Sequence, residues 1–384
     1  MSASQEAQIG IIGCGNISEA FLTLASHFHG LRIVACADLA PGAAQARAAQ
    51  FGIRALSVDE LLTDSEIATV INLTVPAAHF EVTRAILSAG KHAYSEKPLA
   101  LTAAEAGTLV AEAATRGLAL GCAPDTFLGA AGQVARRLID EGAIGQVIAG
   151  TAHVMSHGME HWHPNPTFFY KRGGGPIFDI GPYYIAGLVN LIGPVRAVAA
   201  FASKAFDERI VTSEPRAGER IRVETPTTIN ALLEFHSGAQ VTLGASWDVW
   251  RHGHSNPIEL YGSDGTMLVP DPNFFAGIVQ HSNQSGDYTS VDTADQLFGA
   301  ANWPPAQPQR ANYRMLGVAE LIMAAAQGRE PRCSGRLAAH VVEVMESILI
   351  AAADRRTIAI ASQPTRPDPL DPTTGKRLLR AIAG

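Results

Sequence analysis

Over the first third of the chain, short unbroken apolar runs alternate with longer stretches in which apolar residues recur at helical spacing. QIGIIG (8–13) is the first run and ends in glycines; LRIVACAD (31–38) is the second and ends at Asp38. ATVINLTV (68–75), HAYSE (92–96) and LALGCA (118–123) follow. Runs without polar alternation predict strands covered on both faces, as in a parallel sheet. Between them, helices are predicted from about Ile17 to Phe28, over 41–52 with Pro41 in the first turn and Gly52 as the stop, and over 78–90 ending at Gly90. A further helix follows Thr102, whose pairing with Glu105 reads as a capping box. Strands and helices in this order predict right-handed βαβ units.

The pattern changes near residue 125. QVARRLIDEG (133–142) predicts a helix with Val134, Leu138 and Ile139 on its apolar side. PTTINALLEFHSGAQVTLGAS (226–246) and PIELYGSDGTMLVP (257–270) predict strand pairs turning at HSGA and GSDG, in a half-covered antiparallel sheet. Two apolar helices, 314–328 and 337–355, are expected to cover one face of that sheet, whereas 283–296 and 302–312 read as loops. The fold expected is an α/β Rossmann domain with a parallel sheet over 1–124, then an α+β domain with a large, mostly antiparallel open sheet over 125–384.

Composition narrows the function. Of 384 residues, 47% are hydrophobic and 17% charged, which excludes a disordered chain. A net charge of −7 argues against nucleic acid or an anionic membrane as partner. Cys14, Cys36, Cys122 and Cys333 have no CxxC spacing, which fits a reducing compartment. The opening MSASQEAQ lacks a secretory signal pattern, and no apolar stretch has the length of a membrane span, so a cytoplasmic protein is expected.

Gly13-x-Gly15-x-x-Ser18 lies between the first strand and the first helix. Gly13 permits the tight turn, and Gly15 lets a pyrophosphate approach the backbone where Asn16 and Ile17 open the helix. Asp38 ends the second strand twenty residues after Ser18, where a carboxylate accepts both adenosine ribose hydroxyls and repels a 2′-phosphate. NAD is therefore expected as cofactor ahead of NADP; capping the next helix is the other role open to Asp38.

HVMSHGMEHWHPNP (153–166) carries His153, His157, His161 and His163, but a strand end running into a loop does not bring i,i+4 side chains together, so no metal site is expected. Neutral imidazoles suit substrate hydroxyls instead, and Asp125, His157, His163 and Tyr170 are candidate pocket residues. SWDVWRHGHS (246–255) adds Trp247 and Trp250, which suit either a sugar's apolar face or a sheet core.

GIIGCGNIS (10–18), LTVPAAH (73–79), SEKPLAL (95–101) and GGGPIFDIGPYYI (173–185), in this order, resemble the family of glucose–fructose oxidoreductase, inositol dehydrogenase and related sugar dehydrogenases, Gfo/Idh/MocA. The resemblance spans most of the chain. It implies a hydride transfer between NAD(P) and a secondary hydroxyl or ketone of a sugar, glycoside or cyclitol. It also implies a homodimer or homotetramer formed through the open sheet. Lys97 then lines the nicotinamide pocket and takes part in proton transfer, and Glu96, Thr74, Pro76 and His79 adjoin the cofactor. The family's second motif, D-x-G-x-H-x-x-D, reads Asp179-Ile-Gly181-Pro-Tyr183-Tyr-Ile-Ala186, with Tyr183 for the histidine and Ala186 for the last aspartate. A branch with tyrosine there makes Tyr183 the candidate acid/base and Asp179 its partner toward substrate or Lys97. Free Tyr and Lys both titrate near ~10, so a shared site must tune them. A solvated lysine and a core tyrosine are the plain alternatives. The other functions left open are an enzyme that retains and cycles its NAD (epimerase, lyase-type or sugar–sugar oxidoreductase) and a dinucleotide-binding sensor.

Overall fold

A computed structural model of the chain describes residues 6–284, 286–303 and 310–380. Residues 1–5, read above for a signal, and 304–309 of the proline-rich loop lie outside the described residues. The chain forms two compact units: Met1–Gly129 with Ala301–Val342 and Pro367–Gly384, and Ala130–Ala300 with Glu343–Arg366.

In the first unit, β1 (Ala7–Ile12), β2 (Leu31–Ala37), β3 (Arg54–Leu56), β4 (Thr69–Asn72), β5 (His92–Ser95) and β6 (Leu120–Cys122) form a sheet in the order β3-β2-β1-β4-β5-β6. Every neighbouring pair is parallel. Ile9, Ile11, Val70, Ile71, Ala93 and Tyr94 are fully buried, as continuous apolar strands require when helices cover both faces. Those helices are α1 (Asn16–Leu24), α2 (Pro41–Phe51), α3 (Val58–Thr63), α4 (His79–Ser88) and α5 (Ala103–Arg116). α2 starts on Pro41 and ends at a left-handed Gly52, as its sequence predicts. The α5 box is half formed: Thr102 accepts from the Glu105 N–H, but the Glu105 carboxylate reaches back to the Leu101 N–H. The full box is Ser57–Glu60, heading α3 behind a three-residue strand too short to show a pattern.

The second unit holds a nine-stranded sheet. Its strands are β7 (Val147–Met155), β8 (Val195–Ser203), β11 (Thr228–Phe235), β12 (Gln240–Ser246), β13 (Ile258–Gly262), β14 (Gly265–Val269), β15 (Ile278–Asn283), β16 (Thr289–Asp292) and β17 (Ile358–Ala359). A separate ribbon pairs β9 (Glu208–Ile210) with β10 (Arg220–Arg222). The sheet order is β16-β15-β14-β13-β7-β12-β11-β8-β17, antiparallel except for β7–β12. The HSGA and GSDG turns lie where predicted, and the sheet is half covered: Leu233, Val241, Leu243 and Leu260 are buried, while Phe201, Leu232 and Tyr261 are exposed. α6 (Ala130–Asp140) packs on β14, β15 and α8 (Gly181–Ile192), which follows the short α7 (Gly175–Asp179).

Two expectations are corrected. The stretch 283–296 includes β16, a polar edge strand that pairs with β15 and lacks the apolar alternation that would have marked it. And the described residues of 301–342 and 367–380, assigned above to the second domain, pack with the first. The reason is α9 (Leu316–Ala326), which lies on β6 and not on the second sheet. The division between the units falls within α10 (Gly335–Asp354), and α11 (Pro372–Leu378) belongs to the first unit with α9.

Gly317 allows α9 to approach this closely: a Cβ there would lie 2.4 Å from Tyr94 Oη and 2.9 Å from Asp125 Cβ. Gly317→Ala is expected to cost about 1–3 kcal/mol through overpacking, read as a lower thermal midpoint. An unchanged midpoint would contradict this packing. No described helix is long and apolar enough to cross a membrane.

Candidate functional site

In the first unit the candidate residues gather at the carboxyl ends of the strands. The sheet order reverses between β1 and β4, the switch point at which open α/β sheets bind ligands. Gly13 has φ +104°, and a Cβ on it would lie 2.6 Å from the Leu73 backbone, so only glycine fits. Gly15 is exposed, and a Cβ on it would meet nothing within 4 Å. The space above that backbone, at the N-terminus of α1, has the room and the N–H groups a pyrophosphate needs. Asn16 and Ile17 are the first residues of α1, and the Ser18 hydroxyl donates to the Gly15 carbonyl, fixing the turn.

The Asp38 carboxylate accepts the N–H groups of Cys14 and Ala40, both at 2.8 Å. It therefore ties the phosphate loop to the end of β2. The helix-cap alternative is not realised, since the N-cap of α2 is Ala40. Two accepted bonds leave carboxylate lone pairs for ribose hydroxyls. The residues present thus fit a dinucleotide without a 2′-phosphate.

Beyond β4, Asn72 organises the next loop. Its amide donates to the His79 carbonyl and Thr83 Oγ1, while its Oδ1 accepts from the Thr74 N–H and hydroxyl. His79 is buried, with Nδ1 2.6 Å from the Pro98 carbonyl and Nε2 2.9 Å from the Thr74 carbonyl. Burial lowers its pKa, and the two carbonyls oppose that shift. This corrects the expectation of a cofactor contact: His79 pins the Thr74 loop to the segment after Lys97. Pro76 opens a single 3₁₀ turn, Pro76–Ala78. Glu96 accepts the Lys97 N–H at 3.0 Å, and its own N–H donates to the Asn72 carbonyl. Lys97 follows directly from the carboxyl end of β5, with Glu96 and Lys97 both half-buried.

Asp125 is buried and accepts the Gly317 N–H at 2.9 Å. Desolvation pushes its pKa up to about 6, the Gly317 hydrogen bond opposing. Its carboxylate anchors α9, which replaces the pocket role expected of it.

In the second unit, Asp179 ends α7 and Tyr183 lies in the first turn of α8. Tyr183 is buried and Asp179 half-buried. His163 lies near Asp179, whose charge raises the imidazole pKa against the larger lowering by burial. The ring is walled by Trp162, Phe168 and Phe169 at 5.4, 5.6 and 5.1 Å between centroids. His157 stacks on Trp250 at 3.2 Å, and burial followed by the Arg209 charge lowers its pKa.

Tyr170 is fully buried against Trp247, its hydroxyl donating to Glu160 and accepting from the Met159 N–H. It is therefore a core residue, not the pocket residue expected. Met159, Phe169, Val211, Ile221 and Val223 complete that core. Beside it Arg209, 5% exposed, bridges Glu160 at 3.1 Å and Asp248, and donates to the Trp247 carbonyl at 3.1 Å. Asp248 in turn accepts the hydroxyls of Thr227 and Thr228. Sequence reading missed Asn72, Glu160, Arg209 and Asp248. Asn72 alone left a trace, a polar residue in the strand run ATVINLTV. Among the described residues, no group of three or more His, Cys, Asp or Glu could hold a metal.

Comparison with known proteins agrees with this geometry. Residues 7–123 match the "Oxidoreductase family, NAD-binding Rossmann fold" and residues 133–268 match the "GFO/IDH/MocA C-terminal domain". The chain is 32% identical over 267 residues to 1,5-anhydro-D-fructose reductase of Ensifer adhaerens, covering 67% of this chain and 74% of that one. It is 26% identical over 364 residues to D-apiose dehydrogenase of Paraburkholderia graminis, covering 92% and 89%. The solved structure of levoglucosan dehydrogenase with NADH superimposes with a TM-score of 0.78 at 20% identity, covering 93% of this chain and all of that one. The matched family models define an NAD-binding oxidoreductase. The chain belongs to the Gfo/Idh/MocA family.

Asp38→Ala is expected to weaken NAD binding by about tenfold or more, because hydrogen bonds to a charged group contribute ~1.5–3 kcal/mol each. Calorimetric titration with NAD and NADP measures it; undiminished NAD affinity would remove Asp38 from the ribose site.

Proposed function

We propose that the chain oxidises a secondary hydroxyl of a sugar, glycoside or cyclitol with NAD, or reduces the matching ketone, and that Lys97 and Tyr183 exchange the hydroxyl proton. The single observation that carries this reading is the position of Lys97. It leaves the carboxyl end of β5 in the sheet that carries the phosphate loop, held by Glu96 and by the Asn72–His79 hydrogen bonds. NAD, when bound, would supply the hydride acceptor. Tyr183 Oη and Lys97 Nζ are the two side-chain groups that can take or return that proton. Asp179 and His163 hold substrate hydroxyls, an acceptor and a neutral imidazole on the same unit. The relatives named above act, by their names, on carbohydrates, which supports this substrate class.

The test is a panel of monosaccharides, glycosides and inositols with NAD and with NADP, following reduced coenzyme. Net NADH from at least one polyol is expected. Retained cofactor and interconverted sugars without net NADH would instead favour the cycling enzyme. The exposed Phe201, Leu232 and Tyr261 on one sheet face support a homodimer or homotetramer, and four free buried cysteines fit the cytoplasm.

A further inference from the structure

Two exposed rings in the second unit stand on half-buried supports. Trp250 is 77% exposed, yet its indole stacks on His157 at 3.2 Å and 18°. His254, also exposed, stacks on His153 at 3.6 Å and 8°, and His252 lies 5.8 Å beyond it. The segment is fixed at both ends: the Val249 N–H donates to the Ser156 carbonyl, and the His153 N–H to the Pro257 carbonyl. Each exposed ring therefore has one face covered by an imidazole, and Trp250 presents most of its remaining surface to solvent. Among the described residues, the buried Nδ1 atoms of His153 and His157 have no partner. A bare ring nitrogen is tolerated more readily than a bare N–H, so the proton sits on Nε2 of both rings. An exposed indole or imidazole face backed by a second ring suits a ligand with an apolar C–H face and a rim of hydroxyls. It suits a nucleotide poorly, since Arg251 is the cation the segment 246–256 offers to a diphosphate.

We propose that Trp250 and His254 form a second subsite that seats a glycosyl ring not undergoing oxidation. This deepens the function proposed above and rests on it: the substrate class becomes a two-ring glycoside in preference to a free monosaccharide. The subsite and the candidate substrate-binding residues share one loop: five residues lie between His157 and His163, and the Asp179 charge acts on His163.

Trp250→Ala removes the exposed ring without opening a core. Saturation-transfer NMR with cellobiose reads the contact without turnover. Saturation of one ring's C–H protons in the parent and its loss in the variant are expected, with partial recovery in Trp250→Phe. In parallel, kcat/KM on a two-ring glycoside should fall tenfold or more, while that on its free monosaccharide changes less than twofold. Equal saturation in parent and variant, equal losses on both substrates, or stronger saturation of UDP-glucose than of cellobiose would overturn the subsite. Absence of NADH from every sugar would instead defeat the dehydrogenase reading, leaving the NMR result to stand or fall by itself.

Discussion

Lys97→Met lowers kcat by at least about a hundredfold, and leaves NAD affinity within a few-fold of the parent. A positioned proton-transfer group contributes roughly 10²–10⁴ in rate, and methionine keeps the length of the stem while removing the charge and the donor. The half-buried Lys97 backbone is held independently of its ammonium: Glu96 binds the Lys97 N–H, and His79 meets the Pro98 carbonyl. The loop should therefore survive the substitution, so that lost activity reports lost chemistry. Tyr183→Phe should give a similar loss. If both variants turn over at near-parent rates with NAD bound, neither group exchanges the proton and Lys97 is a pocket-wall cation.

The second large effect is on stability. Arg209→Met leaves Glu160 and Asp248 buried, 8% and 9% exposed, without their shared cation. Breaking a buried ion pair from one side costs about 3–5 kcal/mol, which at ~2–4 °C per kcal/mol lowers the thermal midpoint by roughly 6–20 °C. Damage should spread to the candidate pocket, because Glu160 lies on the loop between His157 and His163 and its carbonyl holds the Thr212 and Ser213 N–H groups. Arg209→Lys should recover part of the loss, since an ammonium restores charge without the planar fork that meets both carboxylates. A midpoint within 2 °C of the parent for Arg209→Met would show that the network contributes little.

How far the sequence revealed this molecule depended on the range of the interaction. Local signals were read correctly: the Gly13 turn, Pro41 and Gly52 at the ends of α2, and the HSGA and GSDG hairpins each act within a few residues. Long-range closure was not legible. Nothing around Gly317 shows that its N–H meets Asp125, 192 residues earlier, so α9 was assigned to the wrong sheet. The candidate site divided similarly. Gly13, Gly15, Asp38 and Lys97 stand in motifs whose spacing carries the role proposed for them. Arg209, Glu160 and Asp248 come from three separate segments that look like ordinary surface charge until folding buries them. Tyr170 and His79 failed in the opposite sense, as polar groups whose partners lie inside the protein.

Direct transfer of hydrogen from substrate carbon to coenzyme tests the central claim most sharply. The enzyme would be incubated with NAD and a sugar or cyclitol from the panel, deuterated at its secondary carbinol positions, and the coenzyme analysed by mass spectrometry. The account predicts NADH one mass unit heavier, formed by the parent and suppressed in Lys97→Met. Unlabelled coenzyme across the whole panel, from protein that binds NAD, would contradict it.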